Sequence, residues 1–174
     1  MSVKAILQLG NPLLYDVSRP ITESEVGSIR SVVDDLHDTM MDFRNRYGCG
    51  RAIAAPQIGV LKRLLYMHID RPAVFINPVL ENRSSDMMIL WDDCMSFPDL
   101  LVRVQRHKTC TIRYRDLDWS EQVMPLAGDL SELLQHEYDH LDGILATQRA
   151  IDDRSFAFRS QRHLLDGPVC GEQS

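Results

Sequence analysis

Apolar residues fall at Val26, Ile29, Val33, Leu36, Met40, Phe43 and Tyr47, separated by alternating steps of three and four. Residues so spaced line one face of an α-helix. Thr22-Glu23-Ser24-Glu25 just before them has the form of a capping box, with Thr22 as N-cap and Glu25 three residues on, and Gly48 and Gly50 follow as terminators. The pattern therefore predicts a helix over 23–47. The stripe covers only about three heptads, which favours one amphipathic helix laid on a sheet over a coiled-coil or dimer seam.

The middle of the chain changes period. Short β-rich runs occupy 63–69, 73–80, 87–91, 100–105, 108–114 and 121–125, broken at Asp70-Arg71-Pro72, Phe97-Pro98-Asp99 and Asp116-Leu117-Asp118. Runs separated by such short breaks predict antiparallel hairpins rather than βαβ units. Before the first helix, Gly10-Asn11-Pro12 and Arg19-Pro20 make residues 1–21 an irregular arm. A second helix is predicted over 130–142, with Asp129 as N-cap, Glu132 at the N3 position of a capping box and Gly143 as terminator. Ile144-Leu145-Ala146 can add a short strand, residues 154–165 are ambiguous, and 167–174 reads as a loose tail. The expected fold class is α+β: antiparallel β-sheets surrounding a central helix, with the long N-terminal amphipathic helix packed outside. One domain is expected over 1–166, followed by a C-terminal tail over 167–174.

Length and composition agree with one domain. The 174 residues can bury a full core without metal or disulfide staples, and no apolar run approaches the roughly 18 residues of a membrane helix. A net charge of −6 argues against general nucleic-acid binding, which needs clustered Lys and Arg. Residues 1–7 lack the character of a signal or transit peptide, so the expected location is the cytoplasm. Cys49, Cys94, Cys110 and Cys170 form no CxxC pair and fit reduced thiols.

The chemistry is concentrated in the second helix. His136 and His140 are four residues apart, so one helix face can offer two imidazole nitrogens to one metal ion, with Glu137 beside them. An isolated HExxH also arises by chance in polar helices. Two further segments add weight: Asp92-Asp93-Cys94-Met95-Ser96, which puts a thiol at a strand end, and Gly50-Arg51-Ala52-Ile53-Ala54-Ala55-Pro56-Gln57, whose small residues allow close backbone approach to a ligand. Taken singly, Cys94 would be a small buried hydrophobe and the second segment a tight turn.

Together the three segments resemble the peptide deformylases. Gln135, His136, Glu137, Asp139, His140, Leu141 and Gly143 match one motif of that family, Cys94 and Ser96 a second, and Gly50, Ala54, Ala55, Pro56 and Gln57 a third. The resemblance covers about residues 1–150. It implies a divalent metal held by Cys94, His136 and His140, with the fourth position left for water. Fe(II) is the family's usual ion, and Zn, Ni or Co can substitute. It also implies that Glu137 moves the proton, that Gln57 and the Met95 backbone N–H stabilise the oxyanion, and that the reaction frees formate and an amine. The substrate implied is a peptide or nascent-chain N-terminus, with a transient ribosome contact and no membrane. Asp139 is expected to be a salt-bridge partner behind the ligands.

Substrate-binding positions implied by the resemblance are Gly50, Arg51, Ala52, Ile53, Asp92, Arg106, Glu132 and Leu133. Several depart from the family pattern. Arg51 replaces an apolar residue of the first side-chain pocket, Ala52 a glycine, and Asp92-Asp93 a Glu-Gly pair, while Glu132 stands where an apolar residue is expected. A charge in such a pocket is costly unless paired, so Arg51 is expected to meet Glu132 or Asp92. The alternatives are a hydrolase of other small N-acyl or formylated amines, or a weakly active metal-binding protein that holds nascent chains.

Overall fold

A computed structural model describes residues 2–170. Helix α1 spans Val26–Tyr47, entered through a 3-10 turn at Glu23–Glu25. Thr22 N donates to Glu25 Oε2 at 2.8 Å, the capping-box contact that helix entry at this sequence calls for. Ile29, Val33, Leu36, Met40 and Phe43 are buried, so the alternating stripe faces the core. Gly48 ends the helix at φ 72°, a left-handed conformation that favours glycine.

The strands are β1 (Ala52–Ala54), β2 (Leu64–His68), β3 (Pro72–Glu81), β4 (Met87–Asp92), β5 (Leu100–His107), β6 (Thr109–Arg115), β7 (Glu121–Ala127) and β8 (Phe156–Phe158). They form a five-stranded sheet ordered β1-β2-β3-β6-β7 and a three-stranded sheet ordered β4-β5-β8, with antiparallel pairing throughout. Pro125 lies in β7, an edge strand, where a missing N–H can be turned away from the ladder. In β3 the register shifts between Ile76 and Val79, and Asn77 adopts φ 49° there. Its side chain accepts from Ile21 N at 2.8 Å and donates to Ile21 O at 2.7 Å, which docks the N-terminal arm on the sheet.

Helix α2, Gly128–Leu141, touches β1, β2, β3, β6 and β7 of the larger sheet and β5 of the smaller. Leu133, Leu134 and Leu141 join Leu65, Phe75 and Ile112 in one apolar cluster. Burying a leucine side chain is worth about 1.5–3 kcal/mol, so these three contacts go far towards fixing the rotation of α2. Among the described residues no helix is long and apolar enough to cross a membrane.

Three local expectations fail. Ile144-Leu145-Ala146 forms no strand; Leu145 and Ala146 are buried beside Leu14 and Val104, and the chain turns into a 3-10 helix over Ala146–Arg149. Their apolar character reflects burial of a loop, which alternation alone cannot tell from a strand. Helix α2 starts after Ala127 rather than at an Asp129 cap, and Glu132 turns inward to other partners. The stretch read as loose from residue 167 is packed as far as it is described: Trp91 N donates to Pro168 O and Cys170 N to Trp91 O, both at 2.9 Å, and Val169 is buried. Residues 171–174 lie outside the described part of the chain.

Candidate metal centre and its cleft

The centre is assembled from three places in the sequence. Helix α2 supplies His136 and His140, whose Nε2 atoms lie 3.2 Å apart. The turn after β4 supplies Cys94, with Sγ 3.4 Å from His140 Nε2. That turn is closed by Phe97 N donating to Cys94 O at 3.0 Å, and Ser96 N points at the sulfur at 3.5 Å. One ligand atom from each of Cys94, His136 and His140 falls within 4.8 Å of the others. Two imidazole nitrogens and a sulfur directed at one point cannot all use their lone pairs on each other. A cation bound there satisfies all three, and one thiolate with two imidazoles is a three-ligand set of the catalytic kind.

Behind these three side chains lies a buried charged layer. His136 Nδ1 is 2.8 Å from Asp92 Oδ1, within ion-pair distance but poorly aligned as a hydrogen bond. Arg106 donates to Asp92 Oδ2 at 2.9 Å and to Asp139 Oδ2 at 2.5 Å, and Arg149 adds a 2.8 Å contact to Asp139. Burial works against the Asp92 carboxylate, yet His136 and Arg106 hold it down at about 2. Burial, with the positive charge of His136, keeps His140 well below the ordinary imidazole value. Burial works against a charged His136, but Asp92 and Cys94 hold it well above that value, so a cation bound there has to displace its proton.

Glu137 is buried beside these side chains, and burial raises its carboxyl to about 7 against the pull of His136. A carboxyl poised there can both take and return a proton near neutral pH. Across the centre, Gln57 sits in a 3-10 turn after β1. Its Oε1 accepts from Ala54 N at 2.9 Å, which directs Nε2 to Ser96 Oγ at 3.2 Å and Cys94 Sγ at 3.5 Å. The amide thus presents donors, not its oxygen, to the centre. Among the described residues the Met95 backbone N–H has no acceptor.

These groups open on a cleft of about 400 Å3. Gly50, Arg51, Ala52, Gln57, Cys94, Met95, Leu133, His136 and Glu137 of the predicted set line it. His140, Ile53, Asp92, Arg106 and Glu132 do not. Ile53 is fully buried in the α1 core, Asp92 and Arg106 are enclosed behind His136, and Glu132 stands behind Arg51. Arg106 is therefore placed to hold the ligand layer and not to meet a substrate backbone. Arg51 pairs with Glu132 at 2.6 Å, as the argument from buried charge requires, whereas Asp92 is taken up by Arg106 and His136.

The residues 3–155 match the family model described as Polypeptide deformylase. The chain belongs to that family. It is 37% identical over 151 residues to the peptide deformylase of Rhizobium meliloti (strain 1021), covering 83% of each chain. It is 36% identical over 152 residues to a peptide deformylase-like protein of Brucella melitensis biotype 1, covering 86% of this chain and 89% of that one. Its fold superposes on the peptide deformylase crystal structure from Thermotoga maritima with a TM-score of 0.80 at 25% identity, over 87% of this chain and all of the other. The class I type b peptide deformylase from Acinetobacter baumannii, bound to Met-Ala-Ser, gives a TM-score of 0.78 at 27% identity, over 85% and 98%. Membership in the peptide deformylase family makes this an α+β metal-dependent hydrolase of protein biosynthesis, removing the N-formyl group from nascent peptides.

Cleft residues without a signal in the sequence include Cys170 and Arg159. Cys170 enters from the C-terminal segment, and Arg159, which donates to Asp93 at 2.5 Å, comes from the turn after β8. Both reach the site only through long-range packing. A cysteine four residues from the end carries no periodic or motif context that would have marked it.

Proposed function

We propose that Cys94, His136 and His140 bind one divalent ion and that the surrounding residues use it to hydrolyse the formyl amide at a peptide N-terminus. The convergence of the three ligand atoms on one point, with Glu137 and Gln57 on the same cleft, carries this reading. When bound, the ion supplies Lewis-acid activation of water and of the formyl carbonyl. Glu137 takes the proton from the attacking water and delivers it to the departing nitrogen, so formate and a free amine result. Gln57 Nε2, locked by the Ala54 contact, and the Met95 N–H donate to the oxyanion. Asp92 orients His136 through Nδ1, and Arg106 fixes Asp92.

In this reading α2, lying between the two sheets, is the catalytic helix. The open edge of β1 receives the peptide main chain, with Gly50, Ala52 and Leu133 beside it. A soft thiolate with imidazoles suits Fe(II), Zn, Ni or Co, and Fe(II) is the expected native ion. The protein acts in the cytoplasm on emerging chains, in transient contact with the ribosome.

The test is amine release. Protein loaded anaerobically with Fe(II), or with Ni(II), is expected to free amine from formyl-Met-Ala-Ser at least about 100-fold faster than Glu137→Ala. Equal rates would end this reading.

A further inference from the structure

Arg51, Glu132 and Cys170 form a cluster on the cleft that the hydrolytic step does not use. Arg51 Nη2 donates to Glu132 Oε1 at 2.6 Å and to Cys170 Sγ at 2.8 Å. The Cys170 thiol donates in turn to Glu132 Oε1 and Oε2 at 3.0 and 3.1 Å. Each residue thus touches the other two. Burial keeps Cys170 well above the ordinary thiol value, so it stays a thiol and can act as donor. Burial, with Asp92, raises the Glu132 carboxyl overall, against the pull of Arg51, whose Nη2 donates to Oε1 at 2.6 Å.

The cluster is anchored from outside. Cys170 N donates to Trp91 O and Trp91 N to Pro168 O, while Val169 is buried beside Trp91 and Leu101. The C-terminal segment is therefore stitched to the edge of β4 and carries its thiol to the cleft. Only Nη2 of Arg51 is engaged among the described residues; Nε and Nη1 have no acceptor. The Arg51 side chain is 22% exposed, and it lines the same cleft as Glu137 and His136.

A formyl amine that places its carbonyl at Glu137 brings its first side chain into this cleft, because that side chain branches from the carbon bonded to the scissile nitrogen. Covering Nε and Nη1 with a thioether or alkyl group would leave charged donors buried without partners, which is costly. An amide or carboxylate at the end of the side chain would satisfy them. We propose that Arg51, clamped by Glu132 and Cys170, presents a fixed hydrogen-bond donor to the first substrate side chain, so the substrates are N-formyl amines whose first side chain ends in a hydrogen-bond acceptor. This rests on the deformylase reading for the reaction. The donor cluster itself is a matter of binding and can be measured without turnover.

Glutamine and methionine have side chains of similar length, so they separate polarity from size. Calorimetric titration of Ni(II)-loaded protein with the peptides Gln-Ala-Ser and Met-Ala-Ser gives the binding comparison. Formyl-Gln-Ala-Ser and formyl-Met-Ala-Ser give kcat/KM in parallel. A site built to hydrogen-bond its substrate rejects the analogue lacking the partner, so the glutamine peptide should be favoured at least about tenfold in both readouts. The double variant Arg51→Leu/Glu132→Leu should reverse the preference. Cys170→Ala keeps both charges and the Arg51–Glu132 contact but removes one of the two contacts that fix the guanidinium, so it should narrow the preference to within about threefold and decides the matter alone if the double variant does not fold. The proposal is overturned if Met-Ala-Ser binds wild type as tightly as Gln-Ala-Ser, if neither binds, or if Cys170→Ala leaves the preference unchanged. Preferential binding of Gln-Ala-Ser without turnover of either formyl peptide would remove the deformylase reading and leave the donor cluster standing.

Discussion

Arg106 Nη2 lies 2.9 Å from Asp92 Oδ2, and neither side chain is more than 4% exposed. The pair sits behind His136, with Asp139 as the second acceptor of the same guanidinium. Removing the cation leaves two buried carboxylates without it, the situation in which a broken ion pair costs about 3–5 kcal/mol. Arg106→Leu is expected to lose about that much in urea denaturation. A loss under about 1 kcal/mol would show that water enters and replaces the guanidinium.

Gln57→Ala removes both the donor proposed for the oxyanion and the acceptor of Ala54 N. Loss of one oxyanion donor lowers kcat by about 10²–10³. KM for the formyl peptide should move far less, since the donor acts on charge that develops in the transition state. A rise in KM with unchanged kcat would instead make Gln57 a ground-state binding residue.

The four cysteines offer an internal control for the metal. Cys94→Ala should purify with little bound metal, whereas Cys49→Ala, Cys110→Ala and Cys170→Ala should retain about one ion per chain. Elemental analysis of the four proteins decides it. Equal metal content in all four would remove Cys94 as a ligand.

Much of this was open to sequence reading, for identifiable reasons. The stripe from Ile29 to Phe43 and the His136–His140 spacing are local, and a helix converts such spacing directly into a shared face. Glu132 admitted two readings, a helix-cap residue and a partner of Arg51; the cap fails and the pairing with Arg51, distant in sequence, is the one that forms. Strand β1 has three residues and no room for alternation, so its composition resembled a turn. Ile53 was read as a cleft residue, but β1 turns it towards α1. The Asp92–Arg106–Asp139 layer depends on β4, β5 and α2 meeting, and that meeting has no signature in any one segment.

At the start of α1, the Glu25 carboxyl is held at about 2 by Lys62, with the Thr22 backbone N–H contributing. A carboxyl lowered from its usual 4.5 in the folded state contributes stability above about pH 4.5 and loses it as pH falls through about 2. Wild type should therefore be more stable than Glu25→Gln at neutral pH, by a gap that shrinks between those values and closes below them. Thermal melts across that range test it, and a gap independent of pH would mean that the neutral cap alone supports the helix.

The N-terminal arm has a role beyond docking. Leu7 N donates to Gln57 O, Leu9 N to Ser96 O and Ser18 N to Leu141 O, so one irregular stretch is bonded to each of the three segments that build the centre. At Gly143, φ is 69° and a Cβ would come within 2.4 Å of Tyr15 O, so the arm also presses on the end of α2. These contacts join residues far apart in the chain, and closing such loops is slow compared with forming a helix or hairpin. The site should accordingly be among the last parts of the protein to mature during folding: α1 and the hairpins can form first, and full metal affinity follows only once residues 7–18 have settled across all three segments.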